Sequence, residues 1–320
     1  MSNRPFLRLG TRGSLLARTQ AEGFAAALRG AGIDVELVTI ATVGDLRTDV
    51  TIAGLVAAGR SDGVFVRELE QALLDGRIDA AVHSCKDLPT SLPDGLALAC
   101  VPGRAEPFDV LVGRTAGTRA TLPAGAVVGT SSIRRVVQVR ATRPDLQVRP
   151  VRGNVDTRLR KLDAGEVDCL ILAGAGLARL GLADRVTEVL RPPRFWPAIA
   201  QGALAIEGRT DDGRTRAAVS LLDCPTTHAA VRAERSCLAS LAGGCLAPIG
   251  GWARQEADGL RLGAAVFAEA DGRVSSVTAE AISSPADESP EDLGRRIAAE
   301  LRLQGADRML AAARGQPAGD

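Results

Sequence analysis

The sequence predicts an α/β protein of three domains: two α/β lobes facing each other across a cleft, and a small α+β C-terminal domain. Three observations carry this. Strands alternate with helices through the first hundred residues, the same alternation recurs over roughly 105–195, and the pattern changes character from about 225. Alternation of this kind implies mostly parallel sheets.

The elements follow in order. "FLRLGT" (6–11) is a short strand. "SLLARTQAEGFAAALRGAG" (14–32) is a helix with Ala17, Ala21, Phe24 and Leu28 on one face, stopped by glycines. "IDVELVTI" (33–40) is the next strand, "FVRELEQALLDG" (65–76) an amphipathic helix ending at Gly76, and "IDAAVHS" (78–84) a buried strand. In the second copy, "AVVGTSSIRRVVQVRATR" (126–143) repeats strand, Gly-Thr turn and helix. "TRLRKLDAGEVDCLILAGAG" (157–176) matches "ELEQALLDGRIDAAVHSC" (68–85) as helix, glycine stop, Asp and apolar strand. "VPGRAEPFDV" (101–110) and "RPPRFWPAIAQG" (191–202) are proline-bearing crossings, the second leading back to the first lobe. The lobes are therefore placed at 1–102 with 198–222, and at 103–197, and the C-terminal domain at 223–320. That last domain reads as a helix (229–243), a hairpin (260–283) turning at Asp271-Gly272, and one helix (289–313) capped by Ser289 with Pro290 at its first position.

Composition narrows the function. Lys plus Arg is 39 against 38 Asp plus Glu, a net charge of +1, which argues against nucleic-acid binding by bulk charge. Six Phe, two Trp and no Tyr argue against base-stacking surfaces. The opening "MSNRPFLRLGTRGS" turns polar too soon for a signal peptide, and no apolar run reaches the roughly 20 residues of a membrane span, so a cytoplasmic protein without a membrane partner is expected. No exposed apolar patch is evident, and a monomer is expected. Six cysteines without a CxxC pair, and two histidines, give no metal site. Cys100 in "LALACVP" and Cys169 in "VDCLILA" read as buried, inert thiols; Cys245 in "LAGGCLAPIGG" (241–251) lies in a glycine-rich loop where burial is difficult.

The strand-to-helix turns offer polar groups to the expected cleft. "GTRGS" supplies Arg12 and Ser14, and "GTSSIRR" supplies Thr130, Ser132, Arg134 and Arg135. "VRGNVDTR" supplies Arg152 and Arg158, and "GLAR" supplies Arg179. Helix N-termini with small hydroxyls bind anions, and arginine adds bidentate pairing with carboxylates. One such arginine alone reads equally as a solvated side chain; the repetition points to a ligand with many carboxylates. Lys86 and Asp87 follow a buried strand, at the end where α/β sheets place catalytic groups. Alone, the pair reads more simply as an ion-paired loop. His83 reads as a packed core histidine, and Asp79 and Asp168, at equivalent turns of the repeat, as structural.

"RLGTRGSLLA", "GVFVRELEQALL", "DAAVHSCKDLPT", "VGTSSIRR", "RGNVDTRL", "LILAGAGLARLG", "PAIAQGALAIE" and "AERSCLASLAGGCLAPIG" together resemble the porphobilinogen deaminase family, in family order and over about residues 7–250. The resemblance implies two lobes like periplasmic binding proteins and a C-terminal domain. It implies a transferase of tetrapyrrole biosynthesis that joins four porphobilinogen units head to tail, with loss of ammonia, into hydroxymethylbilane. The chain grows on a dipyrromethane cofactor, held by a thioether at the position of Cys245. Asp87 matches the catalytic aspartate, which assists ammonia loss and steadies the cationic azafulvene. Lys86, Ser132, Arg134, Arg135 and Arg152 match cofactor-binding positions. Arg12, Ser14, Phe65, Thr130, Arg158, Arg179 and Gln201 match substrate-binding ones. The sequence departs from the family at "GDLRTDVTIAGL" (44–55), at "AAGRSDG" (57–63), where Asp62 stands for a frequent lysine, and at Phe195-Trp196. A ligand-binding protein without Asp87 and Cys245 chemistry is the competing reading; both residues are present with their neighbours.

Overall fold

The computed structural model describes residues 5–42, 66–115, 117–242, 247–283 and 288–315. The chain divides into two compact units, Met1–Ala105 with Ala203–His228, and Glu106–Gly202 with Ala229–Asp320.

The first unit is built on a five-stranded sheet of order β2-β1-β3-β10-β4. Its strands are β1 (Phe6–Arg12), β2 (Asp34–Ile40), β3 (Ala80–Ser84), β4 (Leu96–Cys100) and β10 (Leu204–Arg209). β2, β1 and β3 run parallel, while β10 is antiparallel to both β3 and β4. Helix α1 (Leu15–Gly30) starts where expected because the Ser14 hydroxyl accepts from the Ala17 amide at 3.3 Å. Its buried face is Gln20, Ala21, Phe24, Ala25 and Leu28. That face packs on Leu7, Leu9, Val82 and Ile206 of the sheet. Each such leucine, fully removed from water, contributes about 1.5–3 kcal/mol. On another cluster, helix α2 (Arg67–Leu74) lays Leu69, Ala72 and Leu73 against Ile78, Ala81 and Leu96.

The second unit holds two sheets. The first has the order β7-β6-β8-β5-β9, from β5 (Asp109–Gly113), β6 (Val127–Gly129), β7 (Gln147–Arg149), β8 (Cys169–Ala173) and β9 (Glu188–Leu190). β7, β6 and β8 are parallel and β5 is antiparallel to β8 and β9. Helices α3 (Ile133–Thr142), α4 (Val155–Asp163) and α5 (Gly174–Arg179) follow the three parallel strands. The three parallel strands repeat the order and senses of the first unit's, and in both sheets the fourth strand is antiparallel; that strand comes last in the chain in the first unit (β10) and first in the second (β5). Asp79 and Asp168 mark the repeat. The Asp79 carboxylate accepts from the Arg8 amide at 2.7 Å, and the Asp168 carboxylate from the Val127 amide at 2.8 Å. Each Asp amide donates back, to Arg8 O and Val127 O.

The remaining helices are α6 (Gly213–Ser220), α7 (Pro225–Ser240), α8 (Pro290–Leu303) and α9 (Ala306–Gly315). The second unit's other sheet is the antiparallel meander β11 (Ile249–Glu256), β12 (Gly259–Ala270), β13 (Arg273–Ile282), turning at Asp271-Gly272 as expected. Ser289 caps α8 by accepting from the Asp292 amide at 3.1 Å, with Pro290 in the first turn. The single C-terminal helix expected from the sequence is instead two. Gly305, at φ 100°, takes a conformation that no L-residue adopts easily, and the helix breaks there. Trp196 is buried against Gly250 and Gly263 of this sheet. The wholly buried Glu234 of α7 accepts from the amides of Ala200 (2.5 Å) and Ala253 (2.7 Å), tying the crossing to β11. Among the described residues, no helix is long and apolar enough to cross a membrane.

Candidate active site

In the first unit the polar groups gather at the carboxyl ends of β1 and β3. The register Gly10↔Ala81 makes these ends neighbours. Arg12 ends β1 and Ser14 caps α1 immediately beyond it. β3 ends at Ser84, and a 3-10 turn, Cys85–Asp87, carries Lys86 and Asp87, both half-buried. The turn is anchored at its start by the Cys85 amide, which donates to Ala203 O at 3.0 Å. Ser84 is fixed by the side chain of Gln20, whose Nε2 lies 3.1 Å from its hydroxyl. The sequence reading thus brings Arg12, Ser14, Lys86 and Asp87 to one sheet edge, as parallel strands require. It did not single out Gln20, a buried amide on the sheet-facing side of α1; its signal was a polar residue in an otherwise apolar helix face.

In the second unit the carboxyl ends of β7, β6 and β8 lie side by side, each followed by a helix. The N-caps of those helices are Ser132, Asn154 and Ala173, and none makes a side-chain cap hydrogen bond. First-turn amides not taken up by a cap offer hydrogen bonds and positive potential to an anion. Around them stand buried Thr130, whose hydroxyl accepts from the Ser132 amide at 3.3 Å, and the half-buried Arg152, Arg158 and Arg179. The Arg158 Nε donates to Gly153 O at 2.8 Å and the Arg179 Nη2 to Gly202 O at 2.8 Å. Burial pushes the Arg179 guanidinium down from its ordinary value. Gly153 opens α4 at φ 105°, where a Cβ would also meet Thr157 at 2.7 Å, so the turn that precedes Arg158 demands glycine.

Arg134 and Arg135 differ from the expectation of cations offered to a cleft. They are 5% and 6% exposed, and both pair with the carboxylate of Asp109, itself 0% exposed. Arg134 Nη1 reaches Asp109 Oδ2 at 2.7 Å, and Arg135 Nη2 and Nε reach Oδ1 at 2.7 and 3.0 Å. Gln201, also 0% exposed, adds a bond from Nε2 to the same Oδ1 at 3.0 Å and another to Pro107 O at 2.7 Å. The two guanidiniums and Gln201 hold Asp109 far below the usual carboxylate range despite its burial. The physical reason is desolvation: two guanidiniums this deep need a fixed counter-charge, and the chain supplies it. Two positive charges against one negative still leave the cluster cationic. Asp109 was missed by the sequence reading; a lone acid opening the apolar run "VLVG" in an arginine-rich lobe was its only signal.

Cys245 and Phe65 lie outside the described residues, as do segments 44–55 and 57–63. The buried thiols behave as expected: burial pushes Cys100, Cys169 and Cys237 up to about 12, which keeps them protonated and unreactive near neutrality. Among the described residues, no group of His, Cys, Asp or Glu forms a metal site.

Comparison with known proteins matches this chain to two family models. "Porphobilinogen deaminase, dipyromethane cofactor binding domain" matches residues 7–217, and "Porphobilinogen deaminase, C-terminal domain" matches 228–302. A porphobilinogen deaminase of Acidothermus cellulolyticus is 47% identical over 317 residues, covering 97% of this chain and 93% of the relative. Those of Syntrophobacter fumaroxidans and Desulforudis audaxviator are 46% and 48% identical, covering 95% and 96% of this chain. Identity at this level over nearly the whole of both partners, joined to the strand-end chemistry above, leaves one conclusion: the chain belongs to the porphobilinogen deaminase family.

Proposed function

We propose that the protein is a hydroxymethylbilane synthase, a transferase that condenses four porphobilinogen units head to tail with release of ammonia. The observation that carries this is the polar edge of the second unit's parallel sheet. Three helix N-termini without side-chain caps, a net-positive Arg134–Arg135–Asp109 cluster, and Arg152 and Arg158 are concentrated there. Such a set fits a dipyrromethane with its acetate and propionate groups, since each carboxylate takes amide and guanidinium donors. When bound through Cys245, the dipyrromethane supplies the nucleophilic pyrrole carbon on which the chain grows.

The protein's own groups do the rest. Asp87, at the end of β3, accepts hydrogen bonds from pyrrole N–H groups and passes a proton to the departing amine. Its charge then steadies the cationic centre that ammonia loss leaves on the substrate methylene. Lys86, Ser132, Arg134, Arg135 and Arg152 hold cofactor carboxylates, Arg134 and Arg135 sharing their charge with Asp109. Arg12, Ser14, Phe65, Thr130, Arg158, Arg179 and Gln201 serve the substrate side, Gln201 by fixing Asp109. A monomer in the cytoplasm, without nucleic acid or membrane partners, completes the proposal.

The test is the intact mass of the purified protein beside Cys245→Ser. The parent is expected to carry the added mass of two pyrrole units and the variant none, and the parent to convert porphobilinogen into linear tetrapyrrole. A folded parent of bare mass that gains no adduct on incubation with porphobilinogen sinks the proposal in favour of a binding protein.

A further inference from the structure

Where α2 meets the face of the first sheet that carries the Leu69–Leu73–Ile78–Ala81–Leu96 cluster lie three acidic or basic side chains that the reaction does not use: Glu70 of α2, and His83 and Glu207 of the sheet. Glu207 is 0% exposed and His83 5%. In the antiparallel β10–β3 ladder Glu207 stands opposite Ala81 and His83 opposite Ala205, which puts both side chains on one face. His83 Nε2 lies 3.0 Å from Glu207 Oε2, within ion-pair reach but off the line of a straight hydrogen bond. Among the described residues, neither Glu207 oxygen has a hydrogen-bond partner, nor has Glu70 Oε1. Burial and the charge of Glu207 push the Glu70 carboxyl up.

An acid in this place is a poor device for stability. A buried ion pair exchanged for apolar residues of like volume is often neutral or stabilising, because desolvation consumes the Coulombic gain. Its geometry is more telling. His83 is the penultimate residue of β3, and Lys86 and Asp87 follow three and four residues later. Ser84, pointing to the other face, is held by Gln20 of α1, and the Cys85 backbone by Ala203, the residue just before the strand that carries Glu207. The carboxyl end of β3 is thus gripped from both faces and along its edge. We propose that Glu207 and His83 are positioning residues, locking the end of β3 so that the turn bearing Lys86 and Asp87 keeps its place during turnover. This rests on the functional reading above.

The test uses the cofactor-loaded enzyme with Glu207→Gln and Glu207→Leu. Both are expected to carry the cofactor mass, and the double exchange His83→Leu/Glu207→Leu, which removes the pair together, is expected to keep a thermal midpoint equal to or above that of the parent. Turnover is expected to fall about tenfold at unchanged KM, the mark of misplaced rather than missing groups. Amide exchange across residues 84–90 is expected to quicken while the rest of the first unit is unaltered. Parent-like turnover and exchange in both variants, or activity lost only in step with stability, overturns the proposal. If the parent itself consumes no porphobilinogen, the functional reading fails, and the exchange across 84–90 decides the positioning role alone.

Discussion

Two aspartates show how position sets the use of one side chain. Asp109 sits at the start of a buried strand, 0% exposed, and two guanidiniums fully occupy its charge. Asp87 sits past the end of a strand, half-buried on a short turn, where a ligand can approach it. A carboxylate serves a developing cation only if its charge is not already spent on a fixed partner. Asp87→Ala is therefore expected to keep the fold, the thermal midpoint and the cofactor mass, and to lower turnover by about a factor of 10² to 10³. Rapid-quench measurement of ammonia release checks this; a variant that releases ammonia at the parent's rate removes Asp87 from the catalytic role.

At the scale of elements, the recurring unit is a parallel strand, a tight polar turn and a helix whose first amides face the strand's end. The unit tolerates little change at its turns. Gly153 combines a φ of 105° with a would-be Cβ contact to Thr157 at 2.7 Å, and its carbonyl holds Arg158. Gly153→Ala is expected to cost about 1–3 kcal/mol through strain and to loosen Arg158, lowering the thermal midpoint and the fraction of protein that retains cofactor mass. A midpoint equal to the parent's contradicts that strain argument. The strand-turn-helix units were legible because their apolar runs are long and end in glycine, as at Gly76 and Gly165. Strands β7 and β9 were not, since "QVR" and "EVL" put only one or two apolar residues beside charged or polar ones, whereas the equally short β6 was read from the apolar run "AVVG". β11 was hidden by "GGWARQE", too rich in glycine and charge to read as a strand; its glycines instead make room for Trp196 and Ile199. The candidate site was legible as a set of arginines at turns. The internal pairing of two of them was not, because the sequence does not show that Asp109 lies across the sheet from α3.

For the whole molecule, a net charge of +1 conceals carboxylates in opposite electrostatic situations. Asp109, Asp79 and Asp212 are each held below their ordinary values: Asp109 chiefly by Arg134 and Arg135, Asp79 by Arg8, Asp212 by bonds from Thr215 and Arg209, all against the opposing effect of burial. A depressed carboxyl contributes stability that is fully present above its unfolded value, about 4, and is lost as pH falls toward the folded one. Glu70 works in the opposite sense. Raised by burial and Glu207, it favours the folded state at low pH and costs stability as pH rises through the ordinary glutamate range. The depressed carboxyls outweigh the raised Glu70 and predict a net loss of stability on acidification, beginning near pH 5. Asp109 contributes most to that slope, having the largest shift of the three and no exposure to solvent. Asp109→Asn leaves two buried guanidiniums without a counter-charge and is expected to cost about 3–5 kcal/mol at neutral pH. The gap between variant and parent should then narrow as pH falls, because the parent loses by protonation what the variant already lacks. Urea midpoints measured from pH 7 to pH 3 on both proteins test this; curves that stay parallel across that range would assign the acid sensitivity to other carboxylates and deny Asp109 its place as the charge on which the second unit's arginines are set.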